Sequence, residues 1–416
     1  MLANTMPGNV LGVGRVAITA ELARAASNGS PGAIAVTADP ANTARASRET
    51  VLAATREIAN GSLAEVVDAC DRDGFYPRDV LQALGRAGAM SAHLDMPERP
   101  ADFGTTIAAM AEAGRICGAT GFMMWCHAVC GLYMQASGNP ALNGAALARH
   151  AAGETLGGTG MSNPMKTFAG IENMLLKARC TALGYVVSGN LPWVSNLGPD
   201  HYFGAVCAVL DADGVAQPGK EIMFMIRCDA PGVTLRDCPS FSGMEGTGTY
   251  AVALKEYLVG ADDLIADPVR PFIGRIKAAF ILLQTGMGLG VVQGAIDSIW
   301  RVEQQLGAVN AYLEDRPDPL QDELDLLTGR IMTLATTPFA TGDAYLRQVL
   351  DARAHVSELA LRAAQSALLH QGARGYLMTS DVQRRVRESH FVAIVTPALK
   401  HLRKELARLS ATPIPA

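Results

Sequence analysis

The sequence is short of charge. Asp, Glu, Lys and Arg make up 18% of its 416 residues, below the ~25% usual in soluble chains, so much surface is predicted to be hidden in a large core or between subunits. The balance is acidic, 35 basic against 40 acidic side chains for a net −5, and no basic stripe of the kind that binds nucleic acid is present. No stretch reads as a membrane span, since the least charged, 116–134, is broken by Thr, His and Gly. The eight cysteines contain no Cys-x-x-Cys pair, the pattern of reduced, buried thiols in a cytoplasmic protein rather than a disulfide scaffold. Cys126 and Cys130 flank His127 but lack a second ligand cluster downstream, and a metal needs three or four converging ligands. Neither a G-x-G-x-x-G turn after a strand nor a Walker A loop is found.

What is present changes period along the chain. Residues 1–45, rich in Gly, Ala, Asn, Thr and Pro, hold no sustained pattern and no compact apolar signal core, and are expected to be a flexible extension. Residues 46–152 carry apolar positions at three- and four-residue steps, with further helices predicted at 105–137 and 139–152. Over 153–265 the runs become short and β-rich, split by Gly, Pro, Asn and Asp, and predict an antiparallel β domain. Lys166 and Lys177, flanking an ordinary loop and strand, read as solvated. From 266 to 416 helical period returns: a long helix spanning ~50 Å at 1.5 Å per residue, then helices at 319–337, 338–371, 379–391 and 396–410. Its glycines, GMGLG at 286–290, read as close helix packing. The expected fold is α+β: an N-terminal helical domain, a middle antiparallel β domain and a C-terminal four-helix bundle.

Four segments give this layout a kinship. GGTGMSNP (157–164) stands where a strand ends in Thr-Glu-Pro. GYVVSGNLPWVSN (184–196) is similar to Gly-Tyr-x-Leu-x-Gly-x-Lys-x-Trp-Ile-Thr-Asn. GMEGTGTYAVAL (243–254) and HQGARGY with QRRVRES after it (370–389) match a closing strand, and a Gly-rich turn followed by a basic helix. Together they resemble the acyl-CoA dehydrogenase superfamily over roughly residues 50–410.

The resemblance implies a flavin. A flat ring with apolar faces and one polar edge needs an aromatic wall and hydrogen-bond donors. Trp193 supplies the wall; Ser162 and Ser195, with the backbone around Met161, supply the donors. The adenosine half of FAD is implied to meet the Gly372–Arg374 turn and an Arg-x-x-Phe-Gly start from a neighbouring subunit. Here EQQLG (303–307) puts Glu303 and Leu306 at the Arg and Phe positions. An acid there repels phosphate, which turns attention to FMN, to reduced flavin supplied by a reductase, and to Arg301 or Arg374 as substitutes.

The sequence departs most at the catalytic base. The family implies a Glu eight residues beyond an Arg-Asp pair. Arg387-Glu388 is the matching pair, and the eighth position is Thr396, which cannot act as a base near pH 7. An alternative place on the long helix falls at Phe280–Ile281, and 278–295 contains no acid. His390, His127 and Glu245 are the candidate substitutes, histidine because its pKa suits proton transfer at neutral pH. The expectation is therefore a flavin-dependent oxidoreductase acting on a small molecule, monooxygenase-like and served by a flavin reductase or electron-transfer partner. The alternatives are an acyl-CoA dehydrogenase with a relocated base and a non-catalytic subunit of the fold. A homotetramer or homodimer is implied by the resemblance.

Overall fold

The computed structural model describes residues 40–97 and 99–411. The extension expected over 1–45 lies outside the described residues as far as 39, and from Pro40 the chain is already helical. The first helices are α1 (Pro40–Ile58), α2 (Ala64–Arg72), α3 (Arg78–Arg86), α4 (Phe103–Ile116), α5 (Gly118–Ala136), α6 (Pro140–Asn143) and α7 (Ala145–Ala151). The single helix expected over 139–152 is thus two, broken at Gly144 (φ −96°, ψ −126°). α4 starts where the Asp102 side chain caps the Thr105 N–H at 2.9 Å. α5 has no charged residue and is buried from Gly118 to Met134, as a helix apolar all round must be.

The sheet region comprises β1 (Gly157–Thr159), the short helix α8 (Ser162–Phe168), β2 (Lys177–Thr181), β3 (Gly184–Val194), β4 (Tyr202–Leu210), β5 (Ala216–Arg227), β6 (Val233–Asp237), β7 (Tyr250–Val259) and β8 (Leu264–Ala266). Its order is β6-β7-β3-β2-β4-β5-β8, with β1 beside β4. The expectation of an antiparallel domain needs correction: β1 and β2 both pair parallel to β4, so the sheet is mixed. The two strands lie end to end along one edge of β4, at Gly157↔Tyr202 and Lys177↔Ala208. The segment between them, including α8, leaves the sheet. Side-chain alternation reports which face a residue occupies, not which way its neighbour runs, so the sequence carried no sign of this.

Both faces of the central strands are covered. Phe203, Ala205 and Cys207 of β4 and Ile222, Phe224 and Ile226 of β5 pack with Val187, Val252 and Leu254 inside the curled sheet. Val206, Ala208, Met223 and Met225, at the intervening positions, join the helical core. Strands buried on both faces read as unbroken apolar runs.

Behind the sheet come α9 (Val269–Asn310), α10 (Pro317–Leu334), α11 (Asp343–Gln371), α12 (Asp381–Ile394) and α13 (Leu399–Ala411). α9 is longer than expected, 42 residues. It is apolar enough to cross a membrane, yet its most apolar window is 94% buried inside the protein. A Cβ added at Gly290 would lie 2.5 Å from the Ala111 carbonyl, and one at Gly286 2.6 Å from that of Ile107. These glycines let α9 press directly on α4. In consequence the helices before and after the sheet share one hydrophobic core, containing Ile107 and Met110 as well as Phe280 and Leu283.

Candidate functional site

The departure of α8 from the sheet leaves a cavity of about 1040 Å³, walled by β3, α5, α8, α9, α11, α12 and α13. Its floor is aromatic. Phe122 meets Phe391 edge-on with centroids 4.6 Å apart and lies 5.7 Å from Trp125, which meets Phe280 at 5.1 Å. The Trp125 indole N–H is bonded to the Phe280 carbonyl at 3.3 Å, so the floor has no free polar group on that ring.

One wall is the end of β3. Its pairing with β7 slips between Leu191 and Val194, where Pro192 cannot donate to the ladder. The slip turns Trp193 outward, 61% exposed along the cavity. Asn196 then takes a left-handed conformation (φ 61°), held by the Tyr76 hydroxyl at 2.7 Å and by its own bond to the Gly157 carbonyl at 2.8 Å. Ser195 is shared with Thr249 at 2.7 Å. Opposite, Met161 and Ser162 begin α8, and the Ser162 hydroxyl bonds that of Thr396 at 3.0 Å. Met161, Ser162, Trp193, Ser195 and Thr396 all line this one cavity, so the structure brings together five residues drawn from three distant segments.

The loop bearing Thr396 is secured from behind. Gln284 donates to the Thr396 carbonyl at 3.1 Å and accepts from Arg353 at 2.8 Å. Glu388, the acid nearest the loop in sequence, is buried against Arg384 and Arg385 and caps the Gly118 N–H at 2.8 Å. It ties α12 to the start of α5 and does not line the cavity.

Other expected residues lie elsewhere. His127 is fully buried, stacked on His150 with centroids 3.6 Å apart and bonded to the His150 carbonyl at 3.0 Å. Burial, then the neighbouring His150 ring, holds its pKa well below the ordinary value; it is a core histidine. His390 is exposed on α12 and does not line the cavity. Glu245 lines a separate cavity of about 780 Å³ with Asp71, Arg72 and Arg387, its carboxylate accepting the Phe241 N–H. Gly372 and Arg374 sit in an exposed turn, Gly372–Tyr376, outside the Trp193 cavity. Glu303 is paired with Arg316 and Arg301 with Asp381.

The cavity is not bare of carboxylates, as the sequence had implied. Glu172 and Glu358 line it, but each is already held, Glu172 by Lys166 at 3.3 Å and Glu358 by Arg403. Lys166, read as solvated, is therefore a wall residue. His401, at the start of α13, was missed altogether. It is 7% exposed, lines the cavity, and its Nδ1 is enclosed without a hydrogen-bond partner among the described residues. Burial lowers its pKa. Its position inside a basic stretch, LKHLRKEL, disguised it as surface.

An isoalloxazine fits what is here. A large exposed indole beside an apolar chamber, with hydroxyls on the facing wall, suits a flat ring that is apolar on its faces and polar on one edge.

Comparison with known proteins agrees with the fold. Residues 45–154 match the acyl-CoA dehydrogenase N-terminal domain. A probable acyl-CoA dehydrogenase of Bacillus subtilis, YngJ, is 25% identical over 82% of this chain and 91% of its own. Butyryl-CoA dehydrogenase from Megasphaera elsdenii superposes with a TM-score of 0.78 at 15% identity, covering 88% of this chain and 98% of that one. The dibenzothiophene monooxygenase TdsC of a Paenibacillus species superposes with 0.72 at 15% identity, over 88% and 99%.

Proposed function

This chain belongs to the acyl-CoA dehydrogenase superfamily, and from that premise we propose that it is a flavin-dependent oxidoreductase whose reaction uses no free carboxylate base, with oxygenation of a small apolar substrate as the preferred chemistry. The observation that carries this reading is the hydroxyl pair Ser162–Thr396 at 3.0 Å, at the place where a base would stand. Bound flavin would supply a two-electron acceptor or, when reduced, the electrons passed to dioxygen. The chain's own part is to hold and to exclude. Trp193 walls the ring. Ser162, Thr396 and Ser195 offer hydroxyls to its polar edge. Phe122, Trp125, Phe280 and Phe391 keep the inner chamber apolar, which strengthens every polar contact made there.

The engagement of Arg301 with Asp381 favours FMN, or reduced flavin delivered by a reductase, over tightly held FAD. Cytoplasmic location accompanies this reading, from the cysteine pattern.

A second reading, oxidation of an acyl thioester, is favoured by Lys400 along the same cavity, which stands beside the Lys166–Glu172 and Arg403–Glu358 pairs as an excess positive charge and suits an anionic carrier. Anaerobic titration separates the two. Oxygenation expects purified protein that consumes dioxygen and substrate only with a reductase and reduced flavin. Stoichiometric flavin bleached by an acyl-CoA in the absence of dioxygen would overturn that and establish the second.

A further inference from the structure

Arg353, inside α11, is fully buried, and among the described residues no carboxylate pairs its charge. Its guanidinium donates to Gln284 Oε1 at 2.8 Å, to the Val392 carbonyl at 2.7 Å and to the Ser357 hydroxyl. All three are neutral. Buried cations are ordinarily paired, because dipoles replace lost hydration only in part. Burial pulls the pKa down to about 9, so the group is still a cation at neutral pH. Two of its contacts lead to one place. Val392 and, through the 3.1 Å bond from Gln284, Thr396 belong to the 391–396 segment that walls the cavity. The cation therefore stands one side chain behind the hydroxyl pair.

We propose that Arg353 is a positioning residue with two effects: through Gln284 and Val392 it holds the Thr396 loop in shape, and its unpaired charge makes the cavity favour a negatively charged occupant over a neutral one. The charge half rests on the proposed flavin site; the loop half does not. Reduced flavin, anionic near neutral pH, is the natural probe against the oxidised, neutral ring.

The test compares wild-type protein with Arg353→Met, Arg353→Lys and Gln284→Leu, each checked for a cooperative melt. Oxidised and anaerobically reduced FMN and FAD are titrated, and amide exchange is followed over 392–396. Arg353→Met is expected to lower the reduced-over-oxidised affinity ratio at least threefold and to speed exchange across the segment. Arg353→Lys should keep most of the ratio. Gln284→Leu should keep the ratio and speed exchange near Thr396. A folded Arg353→Met that retains both the ratio, within twofold, and the exchange rates would overturn the proposal. Absence of flavin binding by the wild type in either redox state would overturn the flavin reading and the charge half together, while the exchange arm would still decide the loop half.

Discussion

The hydroxyls of Ser162 and Thr396, 234 positions apart in the chain, meet at 3.0 Å. One begins α8 where the chain has left the sheet, and the other lies in the loop between α12 and α13. The contact joins α8 to the loop before α13 along the wall of the cavity.

Breaking that contact should alter chemistry more than stability. Ser162→Ala and Thr396→Val are each expected to lower stability by less than ~1 kcal/mol, since both hydroxyls keep access to water. A double-mutant cycle on flavin affinity should show coupling between them. Strictly additive effects would argue that the pair is incidental.

Trp193→Ala should leave folding almost unchanged, because the indole is 61% exposed. Flavin binding should weaken by roughly 1–3 kcal/mol, the worth of a large aromatic surface. Fluorescence titration measures both affinities, and an unaltered Kd would move the flavin away from this wall.

His401→Leu removes a ring nitrogen that is enclosed and has no partner among the described residues. Stability is expected to hold or rise by up to ~1 kcal/mol, since an unsatisfied buried group carries a desolvation penalty. A clear loss in a denaturant titration would show that Nδ1 has a partner in solution.

Acid should weaken the N-terminal helices through three buried histidines. Burial lowers His93 to about 3 and His150 to about 4, and holds His127 well below its ordinary value. The unfolded chain takes up protons near pH ~6.5 while the folded rings stay neutral. Stability is therefore full above that pH and is lost as pH falls toward the folded values, by roughly 1 kcal/mol per ring at pH 5.5. Chemical denaturation at pH 7.5 and 5.5 measures the slope, and His150→Gln should reduce it.

Gly290→Ala should cost about 1–3 kcal/mol, the usual range for an overpacked core, because its Cβ would sit 2.5 Å from the Ala111 carbonyl. A thermal melt matching wild type would show that α4 and α9 separate readily.

Much was legible because local chemistry left a mark. The shift from helical to strand period placed the three regions, glycines 286 and 290 marked a close crossing of helices, and Trp193 with Ser195 marked one side of the cavity. Thr396 at the expected place of an acid was visible by counting alone. His127 misled for a physical reason: its helix is apolar all round, and nothing in such a stretch says which neighbour a polar ring will face. Lys166 misled differently, because a charged side chain in a polar context looks solvated until its ion-pair partner, here Glu172, is seen.

The sequence by itself determined the order of helix, sheet and helix, the absence of a catalytic acid from the 395–398 loop and the aromatic wall at Trp193, since each is written in residue type and spacing. Only the tertiary structure decided the parallel pairing of β1 and β2 with β4, the burial of Arg353 behind the loop, the use of Glu388 as a cap on Gly118, and the presence of His401 in the cavity. Those depend on contacts between segments far apart in the chain, and residue period records which face is buried without recording what buries it.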